Sequence, residues 1–157
     1  MPPATTTRQT PNGIKMDDGF STKLACAADP DIAFWEKTVQ PPGLDGGDAI
    51  DTTTMHNVTY RTMAPRQLVT MTASEITAAY DPVLYTSILN ILNVETSWTC
   101  HFPDGSKLDF FGFLQKFEPQ EHSEGEQPEA NITITPTNQD PTTGAEADPV
   151  MTSVAGT

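Results

Sequence analysis

Residues 80–119 spell out a strand–helix–hairpin unit in which every local signal agrees. In Tyr80-Asp81-Pro82, Asp81 offers a capping oxygen, and Pro82 suits the first helical position, where a missing N–H costs nothing. Leu84, Tyr85, Ile88, Leu89 and Leu92 then recur at helical spacing. Asn93 tolerates the left-handed backbone that ends a helix. The pattern predicts roughly three turns, packed through Leu84, Ile88 and Leu89 on a sheet, because so short a helix is not stable alone.

Val94, Thr96, Trp98 and Cys100 alternate as a strand, and Phe102-Pro103-Asp104-Gly105-Ser106 is a turn sequence. Residues 94–101 and 107–117 therefore read as a hairpin. In its second strand Phe111, Phe113 and Phe117 share one face, and Phe110 and Leu114 share the other. Apolar groups on both faces imply that both are covered. A central strand under the helix and a subunit interface are the two readings. Trp98, Phe110 and Phe113 are expected to join the helix residues in the core.

Upstream, Phe20, Thr22, Leu24 and Cys26 alternate with smaller or polar residues, a half-buried strand broken at Asp29-Pro30-Asp31. An extended run over 32–40 carries Phe34 and Trp35 and stops at Pro41-Pro42-Gly43. Residues 44–55 hold Gly46-Gly47, three acids and Thr52-Thr53-Thr54, which reads as a long flexible loop with a short strand near Ile50. Loops of this length are usually functional, here as contacts to a neighbour. Segments 58–63 and 67–72 are β-prone, the second continuing towards Ala79, and 131–135 forms a last strand before Pro136. The fold class is mainly β (α+β): an antiparallel β-sandwich or barrel-like domain with one flanking short helix and a long extended loop.

The 157 residues suit one domain, expected over 14–136. Residues 1–13 and 137–157 are rich in Thr, Pro, Gln, Gly and Ala, and read as a flexible arm and a flexible acidic tail. The net charge of -13 is concentrated late, with eight acids and no base after Lys116. DNA binding through phosphate neutralisation needs clustered Lys and Arg, so that class is excluded. No run approaches the roughly 20 apolar residues of a membrane helix. Cys26 and Cys100 read as buried thiols, with a disulfide between them as the alternative.

Catalytic signals are missing. His56, His101 and His122 lie in unrelated segments, without metal-ligand spacing to Cys or carboxylates. The Asp45-Gly46-Gly47-Asp48 run lacks the spacing and terminal Glu of a calcium loop, and no phosphate-binding glycine motif or nucleophile elbow occurs. No cofactor is expected.

In order and spacing, several further motifs resemble the tail tube proteins of long-tailed phages, siphovirus-like and non-contractile, with the inner tube of a contractile tail as the alternative. They are Phe34-Trp35-Glu36-Lys37, Thr52-Thr53-Thr54-Met55-His56-Asn57, Tyr80-Asp81-Pro82, Phe111-Gly112-Phe113-Leu114 and Ile132-Thr133-Ile134-Thr135-Pro136-Thr137. The resemblance covers about residues 13–136. It implies a virion structural protein, assembled in the host cytoplasm into hexameric rings that stack head-to-tail as a conduit for genomic DNA. Tape-measure, terminator and baseplate proteins would be its partners. On that picture Pro41, Pro42, Leu44, Asp45, Asp48, Ile50, Met55 and Arg66 contact the adjacent ring. Glu75, with Thr70, Thr72 and Thr77, faces an electronegative lumen. The alternative is a small acidic β-sandwich binding module, an adhesin or carbohydrate-binding domain, with no membrane contact in either case.

Overall fold

The computed structural model describes residues 22–32, 34–103 and 105–153. The expected N-terminal arm and the start of the first strand at Phe20 lie outside them. Eleven strands and one helix follow in order: β1 (Lys23–Cys26), β2 (Trp35–Gln40), β3 (Leu44–Asp45), β4 (Ile50–Asp51), β5 (Met63–Ala64), β6 (Thr70–Met71), β7 (Ser74–Ala79), a 3-10 turn (Pro82–Leu84), α1 (Tyr85–Ile91), β8 (Thr96–His101), β9 (Lys107–Pro119), β10 (Glu129–Pro136) and β11 (Val150–Thr152). Antiparallel pairing builds the main sheet in the order β1-β8-β9-β10-β7-β2, with β11 also on β9.

Alternation along these strands buries one face. Leu24 and Cys26 of β1, Ile76 and Ala78 of β7, Trp98 and Cys100 of β8, Leu108, Phe110 and Leu114 of β9, and Ile132 and Ile134 of β10 meet in a single core. Residues from both ends of the sheet share that core, and Leu24 N donates to Glu36 Oε1 (3.1 Å) between the two edge strands, so the sheet is curled on itself. Both cysteines are free and buried. The fully buried Trp98 indole N–H has no hydrogen-bond partner among the described atoms.

The helix begins as its sequence predicts. Asp81 Oδ1 accepts from Val83 N at 3.0 Å, Pro82 follows, and Asn93 takes a φ of 60°. Its buried face differs from the expected one: Ile88 and Ile91 are in the core with Leu84 against them, whereas Leu89 is 60% exposed and Tyr85 is also outside. Leu84, Ile88 and Ile91 form one stripe at helical spacing and Tyr85, Leu89 and Leu92 a second beside it. Periodicity cannot rank two adjacent apolar stripes.

Phe113 is a second correction. It lies half-buried on the face opposite Phe110 and Leu114. Phe117 does not share that outer face, because the β9–β10 register slips between Thr133↔Lys116 and Ile134↔Leu114. Gln115 is the extra residue, and its side-chain oxygen accepts from the Thr135 hydroxyl. A one-residue bulge exchanges the faces, so Phe117 packs on the core and Tyr80 stacks against it at 6.1 Å.

Two segments are organised differently from the sequence expectation. The run over 67–79 is not one strand: it breaks at Thr72-Ala73 between β6 and β7. Beyond Pro136 the chain folds back through a bridge between Gln139 and Glu146, and β11 then pairs Val150–Thr152 with the first residues of β9.

Candidate assembly surfaces

Residues 41–73 form an arm standing on one end of the β2–β7 pair. Its root is closed where Gly43 N donates to Thr72 Oγ1 and Thr72 N to Gly43 O, both at 2.8 Å, and where β3 pairs with β6. Further out β4 pairs with β5, and Thr52 N donates to Thr62 O at 2.9 Å. Hydrogen bonds from Thr53, assisted by Arg61 at 3.3 Å, hold the Asp51 carboxyl below its ordinary pKa. Near the tip Asn57 accepts from Thr54 N at 2.9 Å and donates to Tyr60 O at 2.8 Å. The threonine run is thus the hydrogen-bonding rail of a narrow hairpin.

Gly46-Gly47, expected as a flexible point, is instead built in. Gly47 has a φ of 78°, its N–H donates to Asp45 Oδ1 at 2.8 Å, and Arg66 lies across it with Nε donating to Asp48 O at 2.8 Å. Of the expected contact residues, Leu44, Asp45, Asp48, Ile50, Met55 and Arg66 are exposed along this arm, Pro41 is partly covered at its root, and Pro42 is buried there. Sequence reasoning passed over Val58, Tyr60, Met63, Leu68 and Val69, all exposed on the same arm. Their apolar character within a segment that has no core to enter was the available signal.

The second surface is the outer face of β2, β7, β10 and β9. Cross-strand pairing lines up two rows: Thr38, Thr77, Asn131 and Glu118, and beside them Gln40, Glu75, Thr133 and Lys116. Glu75 and Thr77 belong to this face. Thr70 and Thr72 do not, because the break after β6 places them in the arm root. Lys116 pairs with Glu118 at 2.8 Å, which raises the ammonium pKa. Glu75 has no ion-pair partner among the described residues. The face ends at β2, whose outer edge pairs with no described strand.

A shallow depression of about 470 Å³ over these rows is open and polar, unlike the mostly apolar clefts that hold small molecules. No group of three or more His, Cys, Asp or Glu that could hold a metal occurs among the described residues.

No protein-family model matches the sequence, and no curated protein matches it. Solved structures do match in fold. A chain of the virion of a native gene transfer agent particle superposes with a TM-score of 0.63 at 8% identity, over 88% of this chain and 100% of that one. A chain from the tail of an empty gene transfer agent particle, refined helically with C6 symmetry, gives 0.58 at 7% identity over 89% and 100%. One from the sheath–tube complex of an extracellular contractile injection system in its extended state gives 0.59 at 12% identity over 96% and 98%. The fold is therefore one found in chains of phage-like particles, among them a gene transfer agent tail and a contractile sheath–tube complex.

Proposed function

We propose that this chain is a tail tube subunit of a phage-like virion, assembling into hexameric rings that stack into a conduit for DNA. The observation that carries the reading is the polar four-strand face ending at the open edge of β2. An unpaired edge on a long sheet needs a partner. Joining β2 to a neighbouring copy extends that face around a ring and leaves the edge protected. The rows then line the channel. Their groups are small or polar, with two acids against one base, so phosphates find no cationic cluster to bind. C6 symmetry in the tail of the gene transfer agent particle supports six copies per ring.

In this arrangement the arm over 41–73 reaches the adjacent ring. Its exposed apolar residues have no place in the core of their own subunit, and patches of this kind mark protein contacts. Tape-measure, terminator and baseplate proteins complete the list of partners. In this reading the tail is non-contractile and siphovirus-like, and the inner tube of a contractile tail is the alternative that the likeness to a sheath–tube complex keeps open. Domain limits of 14–136 are part of the same reading, with the segment after Pro136 folded back so that β11 pairs with β9.

Negative-stain microscopy of purified protein at raised concentration tests the assignment. Hollow tubes are expected. Compact monomers at every concentration would favour the β-sandwich binding module instead.

A further inference from the structure

Two exposed apolar patches lie at opposite ends of the β2–β7 strand pair. At one end the chain leaves β2 after Gln40 and returns to β7 at Ser74, whose hydroxyl donates to Gln40 O at 2.7 Å. The arm that starts there ends in a tip where Met55 is 100% and Val58 96% exposed, beside an exposed Tyr60. At the other end, Trp35 pairs with Ala79. There the Asp81 carboxylate takes the Trp35 indole N–H at 3.3 Å and Val83 N at 3.0 Å, gathering an exposed Trp35 (65%) and Val83 (83%) next to Tyr85. The strands between the two ends span roughly 15–20 Å.

The arm tip carries no formal charge, and at the other patch both oxygens of the central carboxylate, Asp81, are engaged by the Trp35 indole and Val83 N. Residues 52–60 and 82–94 contain no Asp, Glu, Lys or Arg, in a chain of which 18% is charged. An apolar surface of this kind has no electrostatic complement elsewhere on an acidic protein. An uncharged tip covers the Trp35–Val83 patch without bringing a second charge out of water beside Asp81. The Thr54–Asn57–Tyr60 hydrogen bonds hold the tip in shape, so docking costs little ordering. Two different complementary patches on one molecule make a head-to-tail contact, which propagates along an axis instead of closing as a dimer.

We propose that the uncharged arm tip of one copy (Met55, Val58 and Tyr60) docks on the Trp35–Val83–Tyr85 patch of a second copy. This contact rests on the tube reading and supplies its stacking joint. The Asp81 side chain is the positioning residue: it caps the helix turn and holds the indole beside it in one interaction.

The test uses the full chain with Val58→Cys and Val83→Cys together, and each alone, oxidised mildly in the assembled state. Cys26 and Cys100 are buried, with burial and then Glu36 pushing the Cys100 thiol up to about 11, so they stay out of the reaction. Tubes of the double variant should give a ladder of covalent oligomers on denaturing gels, and neither single variant should cross-link. Tubes without a ladder, or dimers from one single variant, overturn the docking while leaving the tube reading intact. Wild-type chain that never polymerises overturns both.

A second readout needs no substitution. Trp98 is fully buried, so iodide quenching of tryptophan fluorescence reports on Trp35. Quenching should fall several-fold on assembly; tubes quenched as strongly as monomers contradict the docking.

Discussion

Arg66 lies across Gly47 so closely that a Cβ added to that glycine would stand 2.8 Å from Arg66 Cδ. The backbone there is in the left-handed region, which costs an L-residue about 1–2 kcal/mol. Gly47→Ala therefore meets both strain and a displaced guanidinium. The arm contributes little to the core, so the thermal midpoint should hardly move. The protein concentration needed for polymerisation should rise at least several-fold, as read by light scattering.

The helix supplies a sharper contrast. Ile91→Ala empties a buried site and should cost about 2–5 kcal/mol, whereas Leu89→Ala removes an exposed side chain and should stay within about 0.5 kcal/mol of wild type. Chemical denaturation of the two monomeric variants separates them. A larger loss from Leu89→Ala than from Ile91→Ala would mean that Leu89, not Ile91, faces the sheet.

Cys100 makes stability depend on alkaline pH. Burial, and then the neighbouring Glu36, raises its thiol from 9.0 to about 11. A folded-state pKa above the unfolded value means that the folded chain holds the proton more tightly. This contribution is complete below pH 9 and is lost as pH rises from 9 towards 11. The melting difference between wild type and Cys100→Ala should therefore narrow across that window. A difference that stays constant from pH 8 to 11 would show that the thiol does not titrate on unfolding.

Glu75→Lys tests the polar face. The substitution places a cation between Gln40 and Thr133, in the row that already holds Lys116. Tubes should still form, because the side chain is exposed. DNA release from particles should slow at low salt and recover as salt screens the new charge. Unchanged release would remove Glu75 from the channel wall.

The strand order around the turn at 102–106, the Asp81 cap and the Asn93 stop were legible because each depends on neighbours in sequence. Faces were less so. Leu89 against Ile91 could not be settled within an uncharged helix that is apolar on two adjacent stripes. Phe117 was misplaced because the Gln115 bulge arises from pairing with β10, which no local pattern in β9 reports. For the same reason Thr70 and Thr72 looked continuous with Glu75 until the pairing of β6 with β3 drew them into the arm. The two polar rows exist only once four strands are in register. β11 was invisible because its three residues bury nothing and are held by backbone pairing to β9.

Cryo-electron microscopy of the assembled wild-type protein shows directly which face of the sheet lines a channel. A hollow tube of six-fold rings is expected, with the Gln40–Glu75–Thr133–Lys116 row turned towards the channel and β2 paired to a neighbouring subunit. A tube whose channel is lined by the helix, or one whose β2 edge stays open to solvent, would contradict this expectation.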